Sequence, residues 1–146
     1  MNVSEELIRE IVTKVLQESA GAPAADFEKH VDPSGIIGIK TSTVRCEPFG
    51  QGGVTLKDVV TLEEAPRMGC GIMELDHTSF EWTLTYDEYD FVIDGTLEIE
   101  IDGRVVVGRP GDIIYIPKNS RIHFQTPDKT RYAYFVYPAN WQTLNG

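Results

Sequence analysis

The chain has 146 residues, 41% hydrophobic and 25% charged, enough for one globular domain with its own core and unlike a disordered or fibrous protein. Thirteen Lys and Arg against 23 Asp and Glu leave a formal charge of −10, which repels phosphate backbones and anionic lipid, so neither nucleic acid nor membrane is expected as a partner. No apolar run approaches the roughly 20 residues of a membrane span, no cationic leader is visible, and Cys46 and Cys70 make no disulfide framework; together these point to a cytoplasmic protein with reduced thiols.

In chain order, residues 4–18 predict a short amphipathic helix. Val3, Leu7, Ile8, Ile11, Val12, Val15 and Leu16 recur at helical spacing, and Ser4 stands where a cap is wanted. Residues 19–25 are small, with Gly21 and Pro23, and read as a linker. The helix is too short to hold alone and needs a partner for its apolar stripe. The domain boundary is therefore set at 30/31: helix and linker over 1–30, the main domain over 31–146.

From about Ile36 onward the pattern is strand. Runs rich in Val, Ile, Tyr, Phe and Thr cover 54–62, 70–76, 80–86, 89–93, 96–101, 104–107, 113–116, 122–125 and 132–136. Asp94-Gly95 and Asp102-Gly103 predict tight hairpins, and Pro110-Gly111-Asp112 and Pro117-Lys118-Asn119 predict turns. No internal helix is long enough for a parallel crossover, so the sheets must be largely antiparallel: an all-β sandwich, jelly roll or small barrel.

Acid is concentrated in one stretch. Ten Asp and Glu lie between Glu74 and Asp102 with no Lys or Arg among them. Such a run is either a solvated sheet face or, for those side chains that point inward, a group that needs a proton, cation or ligand.

Two spacings in this region carry a family resemblance. Glu88 and Gly95 are separated by six residues, and Gly111 and Pro117 by five, as in the two sequence motifs of the cupins, small jelly-roll β-barrels. The resemblance implies a single cupin barrel preceded by the short helix. Of the four usual cupin metal ligands only Glu88 stands unchanged. The histidine positions fall on Glu81, Thr83 and Ile122, and His123 is one residue out of step, on the opposite face unless a bulge intervenes. No metal site of the imidazole kind is expected. Within the cupins, the stretch from Phe80 to Gly103, the turn from Pro110 to Pro117 and the tail from Tyr134 to Trp141 resemble the ethanolamine utilisation protein EutQ family.

By that analogy alternate residues face the barrel interior, and Glu81, Glu88 and Asp90 are expected to converge as candidate catalytic acids. Thr83, Tyr86, Tyr115 and Phe124 are the candidate ligand-binding wall. Crowded carboxylates raise one another's pKa and can serve acid–base chemistry; equally, they can be structural acids held by neighbouring hydroxyls. Trp82 is expected on the opposite face, in barrel packing or a dimer interface; it and the alternating run Tyr132–Tyr137 are candidates for a homodimer surface.

The resemblance implies a dimeric cytosolic protein associated with the bacterial microcompartment of ethanolamine catabolism, its N-terminal helix docking on shell or enzyme proteins. It also implies an alternative, an acetate kinase using ATP and Mg²⁺, with Lys118, Arg121 or Arg131 as sources of positive charge; otherwise no tightly bound cofactor is expected. A third alternative is a non-enzymatic assembly or small-molecule-binding protein, its acidic, aromatic-walled pocket suited to an amine.

Overall fold

The computed structural model describes residues 26–144, so the helix expected at 4–18 and its linker lie outside the described residues. Compactness divides the chain between Thr43 and Val44, whereas composition placed the boundary at 30/31. In the first unit a hairpin pairs β1 (Lys29–Val31) with β2 (Ile37–Ile39), followed by a 3₁₀ turn at Thr41–Thr43. The Asp32 side chain accepts from the Ser34 amide, and Gly35, at φ 98°, supplies the positive angle the tight turn requires.

The second unit is built from two antiparallel sheets. The six-stranded sheet has the order β10 (Ile113–Ile116), β7 (Asp87–Gly95), β12 (Lys129–Tyr137), β5 (Gly69–Asp76), β4 (Val54–Asp58), β3 (Glu47–Pro48). The four-stranded sheet runs β6 (Ser79–Thr83), β11 (Arg121–Gln125), β8 (Leu97–Ile101), β9 (Arg104–Gly108). Their facing sides share one core, in which Val54, Leu75, Val92 and Tyr132 of the first meet Leu97, Ile99, Ile122 and Phe124 of the second. A short helix α1 (Trp141–Leu144) ends the described chain.

Nine of the strands fall on the runs read from the sequence. Three differences are physical. The first run stops at Asp58, where the chain leaves the strand before returning as β5 in the same sheet, and the third at Thr83, where it crosses to the other sheet. Strands β1, β2 and β3, of two or three residues each, are too short to show a period. Asp102-Gly103 does form the expected hairpin between β8 and β9, with φ of 51° and 81°. Asp94-Gly95 does not: β7 and β8 belong to different sheets, and Gly95 carries the chain from one to the other. A Cβ at Gly95 would stand 1.9 Å from the Lys129 carbonyl oxygen, so the crossing passes too close to β12 for any side chain.

Candidate functional site

Strand register decides which acids enter the interior. On β7 the inward residues are the even-numbered Glu88, Asp90 and Val92, opposite Val136, Tyr134 and Tyr132 of β12. Asp90 is 0% exposed and Glu88 4%. One row across the sheet reads Asp58 on β4, Gly71 on β5, Tyr134 on β12, Asp90 on β7 and Ile114 on β10. The Tyr134 hydroxyl crosses this row to donate to Asp58 Oδ1 at 2.6 Å. Gly71 makes that possible, since a Cβ there would lie 2.1 Å from the hydroxyl.

The electrostatics follow from burial. Desolvation lifts Glu88 to about 7 and drives Asp90 well above the usual carboxylate range, with the neighbouring Glu88 adding to the push. The Glu88 and Asp90 carboxyls lie side by side and act on each other's proton, and the Asp90 oxygens have no other hydrogen-bond partner among the described residues. Asp58 keeps contact with water, yet desolvation by the protein around it raises its carboxyl. Burial likewise raises the phenols of Tyr86 and Tyr134, and the surrounding acids reinforce the shift.

Aromatic side chains form the wall. Trp82 Nε1 donates to the Tyr86 hydroxyl at 2.8 Å, and Trp141 of α1 packs on Tyr86 with ring centroids 4.6 Å apart and edge-on to Trp82 at 6.4 Å. Phe80 stacks on Phe124 at 5.4 Å, which continues to Tyr132 at 6.1 Å.

Several expected residues are elsewhere. On β6 the inward positions are Phe80 and Trp82, so Glu81 and Thr83 point outward, and Glu81 pairs with Arg121 instead of joining Glu88. The expectation counted back from Glu88 along the cupin motif, but β6 and β7 belong to different sheets and the intervening chain is not strand. Trp82 therefore belongs to the interior wall and is no candidate for an outer interface. Tyr115 is also outward, half exposed, donating to Asp87 Oδ1 at 3.0 Å and packed on Tyr89. Tyr86 and Phe124 do face inward, as expected. His123 faces outward opposite Glu81, with Nδ1 2.8 Å from Glu100, and no bulge turns it in. The sequence reading missed Asp58 and Tyr134. The alternation Val54, Leu56, Asp58 was the available signal for Asp58; Tyr134 was assigned to a dimer surface with its outward neighbours.

No group of three or more His, Cys, Asp or Glu among the described residues is placed to hold a metal ion. The candidate bases Lys118, Arg121 and Arg131 are an exposed turn residue and two partners of outward acids, Glu81 and Glu74. Cys46 and Cys70 are half-buried, each raised to about 11 by desolvation, which makes them poor nucleophiles.

Facing jelly-roll sheets with an inward strand-borne acid define a cupin-like fold, and the cupin domain of Schizosaccharomyces pombe Cnp3 superposes with a TM-score of 0.58 at 11% identity over 74% of this chain and 78% of that one. The particular family follows from the sequence: the model of the ethanolamine utilisation protein EutQ matches residues 3–143, and the chain belongs to that family. A Clostridioides difficile relative named acetate kinase EutQ is 45% identical over 99% of this chain and 98% of its own. The Salmonella typhimurium protein of the same name is 34% identical over 97% of this chain, which spans 65% of that longer relative. The solved Clostridium difficile EutQ structure has a TM-score of 0.78 at 49% identity, covering 82% of this chain and all of that one.

Proposed function

We propose that this protein phosphorylates acetate with ATP in ethanolamine utilisation, using the buried pair Glu88 and Asp90 as its polar centre. The observation that carries the reading is the 45% identity, over essentially both full lengths, to a relative named acetate kinase. The donor set agrees with the metal such a reaction needs. Glu88 and Asp90 sit side by side and offer only carboxylate oxygen, the chemistry of Mg²⁺. Mg²⁺ is commonly held by one or two carboxylates with phosphates and water completing its shell, so a three-residue cage is not required. When bound, it would supply charge neutralisation for the transferring phosphoryl group.

In the transfer an acetate oxygen attacks the γ-phosphorus, the bond to the ADP oxygen breaks, and acetyl phosphate and ADP leave. Glu88, raised to about 7, can hold or release a proton near neutrality. The Tyr86 hydroxyl accepts from Trp82, which leaves its own proton free to orient a carboxylate. Lys118, Arg121 and Arg131 lie off the interior face, so a bound metal would have to neutralise most of the charge of the nucleotide. Acetyl phosphate formation from ATP, acetate and Mg²⁺ tests this: Glu88→Gln and Asp90→Asn should each lower kcat/KM at least tenfold, while Glu81→Gln should not. Wild-type protein giving no acetyl phosphate would end the reading.

For partners we propose a second copy of the chain. The outer face of β10, β7 and β12 exposes Tyr89, Phe91, Ile113, Tyr115, Phe135 and Tyr137, an apolar patch unusual on a solvated sheet. Sedimentation should give a dimer that Phe135→Asp dissociates; a monomeric wild type would refute it. Microcompartment association, through the segment 4–18, is part of the same proposal and is tested by co-sedimentation with purified shells.

A further inference from the structure

The interior acids are shut in. Glu88 is 4% exposed and Asp90 not at all, yet any chemistry at their oxygens needs a solute to reach them. Some element therefore has to move. The strands are poor candidates: β7, which carries both acids, is hydrogen-bonded to β10 along one edge and to β12 along the other. Parting either pair would break a ladder of backbone bonds, an event close to global unfolding.

The end of the chain offers a cheaper movement. Tyr86, buried just before β7, lies next to the acids: its phenol is raised by desolvation and then by the charge of Glu88, with Asp90 and Asp58 adding to the shift. Its ring is covered by Trp141, the first residue of α1, with centroids 4.6 Å apart, and the same indole stands edge-on to Trp82 at 6.4 Å. The two residues it covers are themselves joined, Trp82 Nε1 donating to the Tyr86 hydroxyl at 2.8 Å. After Trp141 the chain returns to solvent at Gln142 and Thr143. The tail is fixed to the body at Ala139, whose amide donates to the Arg67 carbonyl at 2.9 Å and which lies over Gly69, where a Cβ would stand 3.9 Å from it. Beyond that point the amides of Trp141 and Thr143 donate to the carbonyls of Pro138 and Asn140, within the tail itself. Turning α1 about Ala139 therefore costs ring contacts of modest strength and leaves the strand ladders intact.

We propose that α1 is a lid, with Trp141 lifting off Tyr86 to open the way to Glu88 and Asp90. Closed, the indole keeps water from the Tyr86 ring; open, it uncovers the Tyr86 hydroxyl and the acids behind it. The inference rests on the reading of those two acids as the polar centre and adds how a solute reaches them. The motion itself needs neither nucleotide nor acetate, so the two ideas fail separately.

Hydrogen exchange followed by NMR tests it. Trp82 and Trp141 are the chain's two tryptophans, so two indole N–H signals are expected, and the one lost in Trp141→Phe belongs to Trp141. Exchange is measured on the whole protein without substrates, with and without urea well below the unfolding transition. The Trp82 indole should exchange at least about tenfold faster than the core amides of β12, at a rate that urea leaves unchanged, as local opening does. Trp141→Ala should speed Trp82 by a further factor of about ten with the β12 amides unmoved, and Trp141→Phe should keep most of the protection. Glu88, held at about 7 by desolvation, should titrate nearer its ordinary 4.5 in Trp141→Ala, because water then reaches it. Exchange of Trp82 only together with the β12 amides, equal acceleration of both by Trp141→Ala, no acceleration of either, or an unmoved Glu88 titration would each overturn the lid. Acetyl phosphate formed while Trp82 exchanges only by global unfolding refutes the lid and keeps the kinase reading; exchange as expected without acetyl phosphate does the reverse.

Discussion

The acids of the inner and outer faces of this fold are chemically the same and live under opposite rules. Outside, each finds a partner: Glu81 has Arg121, Glu74 has Arg131, Glu100 has His123, and Asp87 receives the Tyr115 hydroxyl. Inside, Glu88 and Asp90 act on each other without an ion pair among the described residues, and Asp58 at the edge of the row takes the Tyr134 hydroxyl. The outer set is ordinary surface electrostatics, each pair worth little because water already solvates both members. The inner set is held against its own desolvation, which a fold tolerates when a ligand or a proton resolves it. One residue of register separates the two conditions.

The comparison breaks most violently if another acid is moved inside. Val92 follows Asp90 on the inner face of β7 and is fully buried, while Phe91 beside it points out. Val92→Asp should cost more than about 4 kcal/mol, as an unpaired buried charge does, and prevent folding near neutral pH. Val105→Asp, on the outer side of β9 and outside the proposed dimer face, should cost no more than about 1 kcal/mol. Urea unfolding of the pair is the check, and similar losses would mean that the two faces do not differ as described.

A smaller effect isolates the support of the inner site. Gly71→Ala puts a methyl where the Tyr134 hydroxyl lies, so the ring must move and the Asp58 hydrogen bond must break. Overpacking of this kind costs about 1–3 kcal/mol. Adding Tyr134→Phe should then cost little more, because the bond is already gone; fully additive losses would show that the tyrosine was never held through that glycine.

The third effect concerns pH. Folded protein keeps a proton on Glu88 up to about 7, while the unfolded chain loses it near the ordinary value of 4.5. Between those limits the folded state binds more protons, so stability is greatest on the acid side and falls as pH rises through the interval. Asp90, raised by the same burial, extends the decline upward. Glu88→Gln should flatten the curve, with a gain on the order of 1 kcal/mol at about pH 8. Identical pH profiles for the two proteins would remove the buried titration from the argument.

How far the sequence reached follows from what alternation can report. It located nine strands, because half-buried strands alternate side chains by chemistry, and it put Glu88, Asp90, Tyr86 and Phe124 inside. It misplaced Glu81 and Thr83 because a family motif gives spacing along the chain, and the chain between β6 and β7 changes sheets without keeping strand geometry. Tyr115 was misread because an aromatic residue alternating on a strand looks the same on a core face and on an exposed one. Asp58 escaped because an acid at the end of an apolar run reads as the exit of a strand into water. Only the Gly71 gap and the reach of Tyr134 make it part of the interior row, and neither is visible in one dimension.

The mildest prediction falls on the outer face, where the comparison can be sharpened. Glu81 and Arg121 face each other across β6 and β11, the side chain of Arg121 largely exposed and that of Glu81 nearly half exposed. Glu81→Gln keeps the shape and removes the charge. Exposed pairs of this kind contribute about 0.2–1 kcal/mol, and salt screens even that. The substitution should therefore lower stability by no more than this amount at low salt, with the difference fading toward about 1 M salt. A large loss of stability, undiminished by salt, would place Glu81 with the interior acids after all.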